Sequence, residues 1–211
     1  MTRSLVIGLL LLLCHPVVLP SGPIAGAEGP GLPKPRTSPG ADSVSITLPD
    51  LELQDQQGKY LRFKSDLISD KLVAITFIYT TCTTICPVLD AIFVRTQELL
   101  GNRLERDVRL ISLSIDPATD TPPRLKQYAE RQKAQTGWTF LTGKKQHVDR
   151  ILTGLDVYSR DKAKHPPAIL IGDGRRGVWR RLNGFPSPEQ VIRVLDRLEE
   201  ERAREEGIKG R

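Results

Sequence analysis

The chain has 211 residues, of which 39% are hydrophobic, 27% are charged and only 5% are aromatic, and its formal net charge is +6. This composition is typical of a globular protein with one domain, and it excludes collagen-like, disulfide-dense and wholly disordered proteins. The positive charges are scattered and form no Lys/Arg block with interleaved aromatic residues, so nucleic acid is not an expected partner.

The first 27 residues have the layout of a secretory signal peptide. Arg3 precedes the apolar run 5–14, and the small residues Ala25 and Ala27 favour cleavage after Ala27. An uncleaved N-terminal anchor is the alternative, although the run is short for a span of about 20 residues. We therefore expect secretion across the cytoplasmic membrane, with the protein periplasmic or membrane-anchored facing the periplasm.

Residues 28–44 contain four prolines and three glycines and little that could be buried, so they are predicted to be a linker. Residues 46–63 then alternate apolar and polar side chains on either side of "DQQG", which predicts a β-hairpin. We place the folded domain at residues 45–200 and a charged C-terminal tail at residues 201–211, which we expect to fray.

The centre of the chain alternates buried-strand and helix patterns. Residues 71–79 form a nearly continuous β-branched and aromatic run, typical of a strand buried on both faces. Residues 87–101 have apolar side chains at helical spacing. Residues 107–116 repeat the strand pattern, and a second helix should begin with Thr121 as its cap and Pro122 in its first position.

The rest of the chain continues this alternation. The further predicted elements are a strand at 137–142, a helix at 144–155, two strands at 168–173 and 178–184, and a last helix capped by Ser187. Together these elements predict an α/β sandwich with a mixed central sheet and an N-terminal β-hairpin extension.

Cys82 and Cys86 lie where the first buried strand gives way to a helix, and cleavage of the leader would leave them as the chain's cysteines by removing Cys14. At positions i and i+4 of a helix, their Cα atoms would be about 6 Å apart. That distance suits a disulfide and also lets both sulfurs face one ligand. The spacing leaves open a structural disulfide, a redox pair or two ligands of a metal site, but a bridge over so short a loop would stabilise the chain little.

Two histidines follow the leader. His147 lies on the polar face of a predicted helix, and we expect it to have no role at the site. His165 directly precedes two prolines and a predicted strand. In thioredoxin-like folds the loop entering that strand lies beside the cysteine-bearing loop, which favours His165 as a partner of the cysteine pair.

Four segments, "DQQGKYL", "FIYTTCTTICP", "LSIDPATDTP" and "KHPPAILIGDGRRGVWRRLNGF", occur in this order along the chain. Together they resemble the Sco/SenC family of thioredoxin-like copper proteins, over about residues 51–198. The most specific element is the CxxxCP that follows a strand, combined with a histidine far downstream.

The resemblance implies a copper site made by Cys82, Cys86 and His165 and a role in building the copper-A centre of cytochrome c oxidase. The implied partners are the copper-A-bearing subunit of the oxidase and other copper chaperones, with possible membrane attachment through the N-terminus. Two thiolates and one imidazole suit Cu(I) and can also hold Cu(II). No fourth Cys or His remains for a closed structural zinc site.

The sequence departs from the family pattern near the expected site. The cysteines enclose Thr83, Thr84 and Ile85 where the family often has Pro and an acid, and Lys164 precedes the histidine where Asp is common. A cation beside a metal site could weaken copper binding or tune its potential.

Asp116 and Asp120 lie in "DPATDTP" and suit a turn and a helix start. The family comparison suggests that they lie near the site, behind the ligands.

Two functions follow from these residues. The first is a copper metallochaperone that passes copper by ligand exchange. The alternative is a thiol-disulfide oxidoreductase that reduces the cysteines of the oxidase copper site, with Cys82 attacking and Cys86 resolving. A peroxidase is disfavoured because the motif contains no Arg to activate a peroxidatic thiol.

Overall fold

The computed structural model describes residues 41–209. The expected signal peptide or anchor at residues 1–27 and most of the linker lie outside these described residues, and those expectations remain predictions.

One mixed sheet runs through the described part of the chain, with its eight strands in the order β1-β8-β7-β4-β5-β6-β2-β3. Strands β4, β5 and β6 are parallel, whereas β7, β8, β1, β2 and β3 join through antiparallel pairs. The strands are β1 (Asp42–Val44), β2 (Glu52–Asp55), β3 (Tyr60–Arg62), β4 (Leu72–Ile78), β5 (Val108–Ser114), β6 (Trp138–Thr142), β7 (Ala168–Asp173) and β8 (Val178–Asn183).

Helices cover both faces of this sheet. They are α1 (Cys86–Leu100), α2 (Pro122–Arg131), α3 (Lys145–Gly154) and α4 (Pro188–Lys209). Apolar side chains of α1, α2 and α4 pack in one core cluster, and those of α3 pack in a second cluster with the β2 hairpin. All seven residues of β4 are buried, and they alternate between the two clusters because successive side chains of a strand point to opposite faces. The predicted α/β sandwich with a mixed central sheet and an N-terminal hairpin is confirmed.

The ends of the folded part extend further than the sequence indicated. Residues 42–44 fall in the expected linker, yet they form β1, because backbone pairing with the edge of β8 needs no hydrophobic pattern. Helix α4 continues to Lys209 through the tail that we expected to fray. Ion pairs hold this end, among them Arg202 with the buried Asp173 and Arg176 with Glu201.

The last helix starts with a reciprocal cap. The backbone N–H of Gln190 donates to Ser187 Oγ (3.3 Å), and the backbone N–H of Ser187 donates to Gln190 Oε1 (2.7 Å). This is a capping box, so the prediction that Ser187 caps α4 is confirmed. Thr121 directly precedes α2 as expected, but its side chain makes no capping hydrogen bond within the described structure.

Candidate metal and redox centre

The two cysteines lie at the carboxyl end of β4. Cys86 is the first residue of α1, whereas Cys82 lies in the preceding loop and not on the helix. The backbone N–H of Cys82 donates to the Tyr79 carbonyl (3.0 Å), and the backbone N–H of Cys86 donates to Cys82 Sγ (3.4 Å). Both side chains are free thiols and buried, with exposed fractions of 8% for Cys82 and 3% for Cys86. The start of α1 thus provides a hydrogen-bond donor to the first sulfur.

The pKa of one thiol lies below its ordinary value and the pKa of the other lies above it. Burial by itself raises the pKa of Cys82, but hydrogen bonds from the Cys86 thiol, from the backbone of Cys86 and Thr84 and from the Tyr79 hydroxyl lower it to about 6. Burial raises the pKa of Cys86 well above its ordinary value, and donation of its S–H to Cys82 raises it further. At neutral pH, Cys82 is therefore a thiolate that accepts a hydrogen bond from the protonated Cys86.

Tyr79 and Lys162 complete the surroundings of Cys82. The hydrogen bond from Tyr79 to Cys82, reinforced by burial, raises the pKa of Tyr79 to about 12, so the phenol stays a donor. The Lys162 ammonium lies 5.3 Å from the centre of the Tyr79 ring, a cation–π contact. Lys162 also forms an ion pair with Asp116, which anchors the cation over the Tyr79 ring.

His165 lies directly before β7, after a short 3-10 turn at Lys162–Lys164. Because β7 pairs antiparallel with β4, the start of β7 lies next to the carboxyl end of β4, and this brings His165 to the cysteine loop. The imidazole is 7% exposed, and its ring centre lies 5.5 Å from that of Phe77. The topology therefore accounts for the meeting of groups that are far apart in the sequence.

The hydrogen bonds of His165 leave one ring nitrogen unused. Burial lowers the pKa of His165 below its ordinary value, and a bond to the Val157 backbone opposes this only in part. The bond to Val157 raises the pKa of His165, which means that it favours the protonated ring. The ring N–H is therefore the donor, and the Val157 carbonyl oxygen is the acceptor. Within the described residues Nε2 is buried without a hydrogen-bond partner. A neutral ring held by a carbonyl at one nitrogen and open at the other is the usual arrangement of a metal-binding histidine.

Cys82, Cys86 and His165 line one small cavity of about 10 Å³. This is about the room that a single water molecule needs. The other lining residues are Phe77, Tyr79, Ile85, Ile115, Lys162 and Ala163. Across residues 41–209, however, no three Cys, His, Asp or Glu side chains converge closely enough to hold a metal ion as they stand. Metal binding by this trio would therefore need the side chains to close in.

The two aspartates expected near the site support it from behind, and neither lines the cavity. Asp120 is fully buried and accepts hydrogen bonds from Thr80 Oγ1 and from Ser114 Oγ, both at 2.6 Å, and from the Thr80 backbone N–H at 3.2 Å. It thereby fastens the cysteine loop to the end of β5. Asp116 contacts the site only through its ion pair with Lys162, which lines the cavity. Although burial opposes ionisation, the hydrogen bond from Lys162 holds the pKa of Asp116 below its ordinary value.

His147 lies elsewhere, as expected. It sits on α3, and its Nδ1 is 2.8 Å from the backbone carbonyl oxygen of Glu52 in β2. It does not line the cavity, and its contact joins α3 to the hairpin.

Sequence reasoning missed Tyr79, Lys162 and a buried carboxylate, Asp90, on α1. Tyr79 could have been noticed as the last residue of the strand pattern, three positions before Cys82. Asp90 interrupts the apolar run after Cys86, and an acid inside such a run is a detectable signal. Lys162 gave none.

A model of the SCO1/SenC family matches residues 41–200. The chain belongs to the SCO1/SenC family. It is 35% identical to the SCO1 protein homolog of Bacillus subtilis over 103 residues, which are 48% of this chain and 52% of that protein. The chain spans about half the length of the curated relatives it matches.

Solved SCO1/SenC structures have the same fold. One is BsSco, described as a member of the Sco family of cytochrome c oxidase assembly proteins in which a disulfide switch was identified. It has a TM-score of 0.62 and 25% identity, with 74% of this chain and 95% of that chain covered. Another is ScoI of Bradyrhizobium japonicum with copper bound. It has a TM-score of 0.58 and 26% identity, with 75% and 98% covered. The thioredoxin-like fold expected from the resemblance is confirmed.

Proposed function

We propose that this protein is a copper metallochaperone that binds copper through Cys82, Cys86 and His165. The observation that carries the proposal is the buried Nε2 of His165, which lacks a partner among the described residues, in a side chain that lines the same cavity as both thiols. A buried polar atom without a partner is costly unless something binds it. Membership of a family that includes a copper-bound relative supports copper as the cargo.

The donor set suits the proposed cargo. Two sulfurs and one imidazole favour Cu(I) and can also hold Cu(II). Cys82 and His165 are already in the binding form at neutral pH, since one is a thiolate and the other a neutral ring. Cys86 has to lose its proton, so copper binding should release protons and weaken in acid.

Copper would be delivered by ligand exchange to the copper-A-bearing subunit of cytochrome c oxidase, and other copper chaperones would supply it. This part of the proposal rests on the oxidase-assembly role described for BsSco.

The leader pattern supports a location outside the cytoplasm, in the periplasm or on a membrane anchor facing it. Of the helices in the described part of the chain, none is both long and apolar enough to cross a membrane. Intact-mass analysis of protein from the native host would show whether residues 1–27 are removed.

Titration of the reduced protein with Cu(I) tests the ligand set. His165→Ala should lower Cu(I) affinity and abolish the Cu(II)–thiolate charge-transfer band, because a three-coordinate site loses a ligand. His147→Ala is the matched control and should change neither, because that ring contacts a backbone carbonyl on another part of the fold. Wild-type binding of both copper states by His165→Ala would refute the ligand set.

A specific observation also favours the alternative function, a thiol-disulfide oxidoreductase. The protein holds a thiolate at Cys82 beside a protonated Cys86, which is the division between an attacking and a resolving thiol. Disulfide exchange does not need the imidazole, so His165→Ala should keep this chemistry. Reduction of a disulfide-bonded copper-A peptide by wild type and His165→Ala at equal rates, without copper transfer by either, would favour the oxidoreductase.

A further inference from the structure

The cavity between the two thiols and His165 is closed. Cys82, Cys86 and His165 are 8%, 3% and 7% exposed, and the cavity that they line measures about 10 Å³. The cysteine side chain of a partner is larger than the single water molecule that fits there. Exchange of copper or of a disulfide brings a partner sulfur to Cys82, so the wall of the cavity has to open first.

The outer wall of this cavity consists of lining residues that are exposed or half-buried. They are Tyr79, Ile85, Ile115, Lys162 and Ala163. Lys162 has the longest flexible side chain of this set, and that side chain is 47% exposed. A lysine commonly lays its apolar stem over an apolar surface and keeps its ammonium in water. Lys162 is therefore the part of the wall that can move aside most easily.

The ammonium of Lys162 is held at two places away from its own backbone. It forms an ion pair with Asp116, which follows β5, and it lies 5.3 Å from the ring centre of Tyr79, which follows β4. Lys162 itself begins the 3-10 turn that leads to His165. The side chain thus links the three loops that surround the cavity.

We propose that the Lys162 side chain closes this cavity and selects partners that present a carboxylate beside the reacting sulfur. Such a carboxylate can replace Asp116 at the ammonium, so one ion pair takes the place of another when the stem moves aside. A partner without it has to break the ion pair and the cation–π contact. Together these contacts correspond to roughly tenfold in an equilibrium constant.

The proposal rests on the cavity and on Cys82 of the proposed function, and its test needs no copper. Lys164 provides the matched control. It carries the same charge two residues along the chain, but its side chain is 82% exposed, its ammonium lies 3.7 Å from the Asp161 carboxylate, and it does not line the cavity.

Alkylation of Cys82 in the reduced, metal-free protein measures access to the cavity. Iodoacetamide and iodoacetate have the same size, but only iodoacetate carries a carboxylate beside its reacting carbon. At pH 9, well above the Cys82 pKa of about 6, the rates report access and not ionisation. Peptide mapping by mass spectrometry identifies Cys82 as the labelled residue.

Lys162→Ala removes the stem, so its reaction with iodoacetamide should be about tenfold faster than that of the wild type. Lys162→Arg keeps a long stem and the ion pair and should stay within about threefold of the wild type, as should Lys164→Ala. If Lys162 were only a nearby positive charge, its loss would slow the reaction or leave it unchanged. A Lys162→Ala rate equal to or below that of the wild type would therefore overturn the closing role.

The ratio of the iodoacetate rate to the iodoacetamide rate tests the choice of partner. This ratio should fall about tenfold in Lys162→Ala, because the ammonium that receives the carboxylate is gone, and it should not change in Lys164→Ala. An equal fall in Lys164→Ala would mean that the whole loop attracts anions, and it would overturn the selective role of Lys162.

Asp116→Asn tests the anchor and leaves the Lys162 stem in place. Loss of the ion pair should speed the reaction with iodoacetamide about threefold, and an unchanged rate would overturn the closure through Asp116. None of these measurements involves copper or the His165 ligand. Failure of the alkylation results would thus overturn the role of Lys162 alone, whereas failure of the copper titrations beside the expected alkylation rates would overturn only the proposed copper site.

Discussion

Replacing Asp90 by Asn should stabilise the reduced protein at alkaline pH. Burial is the main reason that the pKa of Asp90 rises from an ordinary 3.8 to about 6, a difference of roughly two pH units. Each unit corresponds to about 1.4 kcal/mol, so the ionised carboxylate lowers the free energy of unfolding by about 3 kcal/mol. Asn has no charge to desolvate and can still accept the Tyr128 hydroxyl.

The sign of the pH dependence follows from the raised pKa. Below about pH 4 the carboxyl is protonated in both the folded and unfolded states, and the ionisation cost is absent. The cost grows between about pH 4 and pH 6, as the unfolded chain ionises before the folded one, and it is fully present above about pH 6. The gain from Asp90→Asn should therefore be about 3 kcal/mol at pH 8 and should vanish near pH 4.

Chemical denaturation at several pH values, with a phosphine reductant to keep the thiols free, measures this gain. For a chain of this size the melting temperature at pH 8 should rise by about 6–12 °C. Asp173→Asn provides the opposite case, because this buried carboxylate is bonded to Arg202 and its pKa lies below its ordinary value. The free energy of unfolding of the Asp173→Asn variant should fall by about 3–5 kcal/mol, because the charge of Arg202 is left unpaired. An Asp90→Asn protein less stable than the wild type at pH 8, or a gain independent of pH, would refute the reasoning.

Two further variants test the surroundings of Cys82. Tyr79→Phe removes a hydrogen bond to the thiolate and should raise the pKa of Cys82 by about one unit; the rate of alkylation against pH measures it, and an unchanged profile would exclude Tyr79 as a donor. Asp120→Ala leaves the hydroxyls of Thr80 and Ser114 without their acceptor, so the free energy of unfolding should fall by roughly 2–4 kcal/mol. Urea denaturation checks the loss, and faster proteolysis in the loop at residues 79–85 should accompany it.

The elements that carry the site were predictable from local patterns. The β-branched run of β4 and the apolar spacing of α1 are strong signals, and they place the cysteines at the junction of the two. His165 was favoured because the expected fold brings the start of β7 to that junction, and the antiparallel pairing of β7 with β4 bears this out.

The contacts that set the chemistry were not predictable, because they depend on three-dimensional packing. The lowered pKa of Cys82 depends on the Tyr79 hydroxyl and on two backbone groups, and no sequence pattern fixes their directions. Likewise, Asp90 stands out in the sequence as an acid inside an apolar run, but the run does not show that the acid is buried. Its burial appears only when Tyr128, far along the chain on α2, packs over it.

The two proposed functions share one chemical requirement, which is that Cys86 must lose its proton. Copper binding needs a second thiolate, and disulfide closure needs a second nucleophile, yet the folded protein keeps this thiol protonated. Only the copper site uses the imidazole. Changes at His165 therefore separate the two functions. A protein that holds one sulfur ionised and the other protonated can keep its dithiol intact in the absence of a partner and react when copper or a disulfide arrives at Cys82.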